Sequence, residues 1–196
     1  MRTVFMFPIV IALGCASNAA SPSPQLGAQA PDFTLKGIDG AAWTLSEHAN
    51  ETVVLEWFNP GCPFVVYAHG DAEAPLGTMA KDTTGVTWVA INSSAVGKQG
   101  HGVEANQKAA AEWKMSHPIL LDEDGQVGKL YGAVTTPHMY VIHEGNLVYR
   151  GALDNRPLGK GDGALVNHVS AALADISAGK AVSRPETKPY GCSVKY

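Results

Sequence analysis

Cys62 is the residue whose surroundings in the sequence most plainly suit chemistry. It follows the turn-forming run Asn59-Pro60-Gly61 and precedes Pro63, a residue type favoured in the first turn of a helix. Upstream, Thr52 to Phe58 (TVVLEWF) is β-branched and aromatic, the composition of a buried strand. A strand that passes through a tight turn into a helix leaves its boundary residue at the helix N-terminus. Free N–H groups and the helix dipole stabilise an anion there. A thiol in that place falls below its usual pKa of about 8.5, and the thiolate is the reactive form. The loop-tip composition around Cys62 argues against an inert cysteine packed in a core.

What could work with this thiol is less fixed. The other cysteines are Cys15 and Cys192, too few for a disulfide scaffold and with no tight pair for zinc. A flexible C-terminal segment can bring Cys192 to Cys62 and resolve a sulfenic acid into a disulfide. Packing of Cys192 within the tail, or pairing between chains, stays open beside this. Glu56 sits on the apolar strand, where burial raises a carboxyl pKa and suits it to general acid or base work. The alternation of Val54, Glu56 and Phe58 with Val53, Leu55 and Trp57 equally allows a solvated Glu56. Of the seven histidines, His69 and His138 could join Cys62 in holding Cu(I). However, His69 lies about 10 Å along a helix from Cys62, and the ligand count falls short, so no metal or other cofactor is expected. His101, His117, His143 and His168 read as surface or cap residues.

The 196 residues are 45% hydrophobic and 16% charged, which suits one folded domain. A net charge of −4 offers no basic face, so nucleic acid is excluded as a partner class. At the N-terminus, Arg2 precedes an apolar run from Val4 to Leu13, interrupted by Pro8 and too short to span a bilayer. Ala12-Leu13-Gly14-Cys15 resembles a bacterial lipoprotein box in which Cys15 would be lipidated. Cleavage near Ser17-Asn18-Ala19 is the alternative. The expected organisation is a leader over 1–19, a tether over 20–26, a domain over 27–182 and a tail over 183–196 carrying Cys192. Either leader reading places the domain outside the cytoplasm, in the periplasm or lipid-anchored to a bacterial membrane, where thiol pairs stay oxidised.

The elements that must position Cys62 can be read in order. Asp39-Gly40 marks a hairpin turn between a short strand ending near Leu35 and a return strand Ala42 to Leu45. After the helix opened by Pro63, which must end or bend at Gly70 or Pro75, come a strand Val86 to Ile91 and a helix Glu104 to Met115. Strand Pro118 to Leu121, helix Gln126 to Tyr131, strands His138 to His143 and Leu147 to Gly151, and a helix Gly163 to Ala178 follow. Helices between the early strands and a hairpin at the end predict an α/β fold, a mixed sheet with helices on both faces.

Five spaced motifs carry a resemblance. Gly27-x-x-Ala30-Pro31-Asp32-Phe33-x-Leu35, Phe58 to Val65, Thr136-Pro137, Tyr149 to Asp154 and Gly191 to Tyr196 are together similar to the redoxin and alkyl hydroperoxide reductase group, in its peroxiredoxin-like branch. The resemblance implies a thioredoxin fold with an N-terminal β-hairpin extension. It implies a Cys62 thiolate that reacts with peroxide or a disulfide, and a Glu56 that relays protons. Asn59, Pro60, Gly61, Thr136 and a cis Pro137 would form the substrate face, and Cys192 or an external reductant would resolve the product. Two positions depart from the pattern. Val65 stands where thioredoxins have a second cysteine, and Asn59 where peroxiredoxins have threonine. A non-catalytic thioredoxin-fold binding module is therefore the rival reading, and a copper carrier a weaker one.

Overall fold

A computed structural model describes residues 23–70, 75–76 and 79–196. The leader and Cys15 lie outside the described residues. The hairpin forms as β1 (Thr34–Gly37) and β2 (Ala42–Thr44), its turn closed by the Ala41 N–H donating to Asp39 Oδ1 at 3.0 Å. The TVVLEWF run gives β3 (Thr52–Trp57), followed by α1 (Pro63–Gly70) and a one-turn α2 (Met79–Asp82). Then come β4 (Val86–Asn92), α3 (Val103–Glu112), β5 (Ile119–Leu121) and α4 (Gln126–Tyr131). β6 (Thr135–Thr136), β7 (His138–His143), β8 (Asn146–Gly151), α5 (His168–Ser177) and β9 (Cys192–Ser193) complete the chain.

Seven strands form one sheet in the order β2-β1-β5-β4-β3-β7-β8, and β6 and β9 pair apart from it. β3 is parallel to β4 and antiparallel to β7, so Glu56 stands between Ala90 and Met139. Val54 packs with Ala68 of α1 and with Val169, Ala172 and Leu173 of α5 on one face. Val53, Leu55 and Trp57 pack with Val127 and Tyr131 of α4 on the other. With both faces covered, all six residues of β3 are buried. The unit β3-α1-β4 followed by β7-β8-α5 around a mixed sheet, with the hairpin added at β5, is the expected thioredoxin fold.

Two expectations need correction. α5 starts at His168, not Gly163, because Asn167 caps it by accepting the Ser170 N–H at 2.9 Å, whereas Gly163 sits at φ +84°. The tail does not hang free. Arg150 N–H donates to Pro185 O at 3.0 Å and Thr187 N–H to Arg150 O at 3.1 Å, so the tail covers the outer edge of β8.

Candidate active site

Cys62 closes the turn after β3 and opens α1. Its N–H donates to Asn59 O at 3.0 Å, and its own carbonyl accepts from Val65 and Val66. Asn59 holds this loop in shape from inside. Its Oδ1 accepts the Gly61 N–H at 2.8 Å, while Nδ2 donates to Ser94 Oγ at 3.2 Å and Gln99 O at 3.0 Å. Asn59 is buried, and Gly100 makes room for it: a Cβ there would stand 2.2 Å from Asn59 Oδ1. The side chain expected on the substrate face is thus spent on the loop, and Pro60 and Gly61 form its half-buried tip. Asn59→Ala would strip three hydrogen bonds and leave buried groups unpaired. We expect a stability loss of about 2–3 kcal/mol in urea denaturation, together with slower alkylation of Cys62.

Across from Cys62 lies the turn before β7, where the Thr136–Pro137 peptide bond is cis. The Cys62 thiol donates to Thr136 O at 3.0 Å. β9 brings in the third member, because Cys192 is the antiparallel partner of Thr136. The two cysteines are both free thiols, and Cys192 packs against the cluster of Phe58, Cys62 and Val65. Burial pushes the Cys62 thiol up. Hydrogen bonds from Cys192 and Thr136 and from the N–H groups of Val65 and Cys192 outweigh it, and the net shift is downward. Cys192 moves the other way, to about 11, through its own burial and the charge forming on Cys62. The local dithiol that Val65 rules out within α1 is thus replaced by one built across the fold.

Glu56 is 1% exposed and turns toward α1, where both its carboxylate oxygens lie 2.9–3.0 Å from His69 Nε2. No hydrogen bond joins Glu56 to Cys62 among the described residues. Phe58 is packed with Cys62 and meets His69 edge to face at 5.7 Å, so it stands between the thiol and the Glu56–His69 pair. His69 stacks on Trp113 at 5.5 Å and faces His117 at 6.3 Å. Burial holds His117 down at about 4. His69, weighed in the sequence as a possible copper ligand beside Cys62 and His138, pairs with Glu56, and His138 contacts Tyr140 on β7. His168, read as a surface or cap residue, is the first residue of α5 and is buried there. Among the described residues no group of three or more His, Cys, Asp or Glu side chains is placed to hold a metal. The signal for His69 lay in the spacing of Val65, Ala68 and His69, which share the buried face of α1.

Comparison with known proteins agrees with the fold. A solved structure of a hypothetical protein from Sinorhizobium meliloti is 30% identical, with a TM-score of 0.77 over 89% of this chain and 96% of that one. An uncharacterized conserved protein from Geobacillus kaustophilus is 31% identical, with a TM-score of 0.76 over 94% and 98%. The thiol-disulfide oxidoreductase ResA of Geobacillus thermodenitrificans is 26% identical over 157 residues, 76% of this chain and 83% of ResA. Residues 26–150, from the start of the hairpin region through β8, match the AhpC/TSA family, and a match over more than half the sequence settles membership: this chain belongs to the AhpC/TSA family.

Proposed function

We propose that the protein is a thiol oxidoreductase whose working couple is Cys62 and Cys192. The observation that carries this is the pairing of Thr136 with Cys192, which lays one thiol against the other beside a cis proline. The match to a thiol-disulfide oxidoreductase over most of the chain supports it. The Cys62 thiolate attacks one sulfur of a disulfide and expels the other as a thiolate. Cys192 then attacks the Cys62 sulfur of the mixed disulfide, passes its proton to the departing thiolate and closes Cys62–Cys192. With a peroxide, Cys62 takes one oxygen to become a sulfenic acid and releases the alcohol or water. Attack by Cys192 then expels water and closes the same bond. Two external thiols reopen it. Glu56, held by His69, is the buried acid–base group behind the site. In this reading the protein works outside the cytoplasm: cleavage before Cys15 leaves that cysteine as the lipid anchor, and cleavage near Ser17-Asn18-Ala19 discards it.

The test is intact mass under non-reducing conditions, after one equivalent of peroxide or of a small disulfide. We expect loss of two hydrogens in the unaltered protein, a Cys62 adduct or sulfenic acid in Cys192→Ser, and neither in Cys62→Ser. Oxidation by the disulfide but not by peroxide identifies an exchange enzyme. If both thiols survive both oxidants, the oxidoreductase reading fails and the binding module takes its place.

A further inference from the structure

The backbone edge beside Cys62 is already occupied, and its occupant shows what fits there. Thr135 pairs with Ser193 and Thr136 with Cys192 in antiparallel register. Val194 N–H donates to Val134 O at 3.2 Å, Ala95 N–H to Lys195 O at 2.8 Å, and the Tyr196 hydroxyl to Ala133 O at 2.8 Å. The last six residues therefore lie across the site as an extended peptide, cysteine against cysteine. Their attachment is separate from that of the preceding stretch. Thr187 is tied to Arg150 and Ala152, and the Tyr190 hydroxyl donates to Asp154 Oδ1 at 2.8 Å.

Gly191 joins the two attachments. It has φ +134°, where side chains are rarely tolerated, and a Cβ built on it would stand 2.1 Å from Thr136 O. The residue before the cysteine thus rests on the backbone of the cis-proline turn, and only glycine comes that close.

We infer that this edge is a docking surface for an extended strand of a partner protein or peptide that carries glycine immediately before its reactive cysteine, and that residues 191–196 fill it until such a strand displaces them. The inference rests on the reading of Cys62 as the exchanging thiol. Edge pairing takes its affinity from main-chain hydrogen bonds and its selectivity from the positions where side chains meet the surface. Here the selective position is the one Gly191 occupies. Displacement is feasible because residues 191–196 pair with the fold through a two-residue strand and a few hydrogen bonds, the kind of segment that opens without global unfolding. Once the partner strand is seated, the Cys62 thiolate attacks the partner's cysteine sulfur within its disulfide. A Cys62–partner bond forms, the old disulfide breaks, and the second sulfur leaves as a thiolate.

The test uses full-length variants carrying Cys15→Ser. In Cys192→Ser the tail stays docked and Cys62 is the only thiol; adding Gly191→Ala drives the tail off. The probe is a synthetic peptide of residues 189–196 whose cysteine is joined to thionitrobenzoate, so exchange at Cys62 releases the coloured thionitrobenzoate anion. We expect the undocked variant to react about tenfold or more faster than the docked one, and a peptide with alanine before cysteine to react about tenfold more slowly on the undocked variant. Equal rates for the two variants, or for the two peptides, overturn the inference. A small symmetric aromatic disulfide separates the two levels: if it too leaves Cys62 untouched in the undocked variant, the thiol-exchange reading itself fails. Deleting residues 191–196 gives a second undocked form should Gly191→Ala disturb folding, judged by circular dichroism.

Discussion

Replacing Cys62 with serine is expected to lower disulfide exchange by on the order of a thousandfold or more, while Cys192→Ser leaves a single turnover intact. A serine hydroxyl in the place of Cys62 keeps the turn and the contact with Thr136 O but is not ionised near neutral pH. The two thiols are not equivalent. Cys62 is fully buried, opens a helix and is pulled below the usual thiol range, whereas Cys192 is held near 11. The low-pKa thiol is both the better-populated thiolate and the better leaving group when the disulfide is reopened. Cys192→Ser also removes part of what lowers Cys62, because the Cys192 thiol is the largest of the groups that do so. The midpoint of the pH–rate curve for Cys62 alkylation should therefore move to higher pH in that variant. If the midpoint is unchanged, the two thiols do not interact as their placement requires.

That asymmetry was only half legible in the sequence. The turn Asn59-Pro60-Gly61 and the helix-starting Pro63 were enough to place Cys62 at a helix N-terminus, because these signals are local. The partner of Cys62 was not legible, because β6 and β9 pair across a long stretch of sequence and each strand is two residues long. Strands that short carry no periodicity. The single local hint was Gly191, whose need for a positive φ becomes visible only once Thr136 lies against it.

Glu56 failed to resolve for a different reason. Alternation reports a face only when one side of a strand meets water, and β3 lies between two layers with every residue buried. The strand itself and its place beside β4 could be read; the direction of the carboxylate could not. His69 gave a helical signal through Val65 and Ala68, but its partner stood on another element. The elements with strong local punctuation, the Asp39-Gly40 hairpin and α4 after Asp124-Gly125, fall where the sequence put them. α5 starts later than expected, at His168 behind the Asn167 cap.

The Glu56–His69 pair carries the second large effect. Glu56 is 1% and His69 7% exposed, and they bond across the space between β3 and α1, closed in by Phe58 and Trp113. Removing the imidazole alone, as in His69→Leu, leaves a buried carboxyl group without the donor that both its oxygens share. Breaking such a pair from one side costs about 3–5 kcal/mol, which urea denaturation reads directly. Replacing both partners removes the stranded group as well, so Glu56→Leu with His69→Leu should regain most of that loss. The double variant then separates the two roles the pair could have. If it folds well and still exchanges thiols at the original rate, the pair serves only to dock α1 onto the sheet. The proton role proposed for Glu56 instead requires that the stable double variant react more slowly and lose the original pH dependence of its rate, while Glu56→Gln, which keeps the shape but cannot move a proton, does the same.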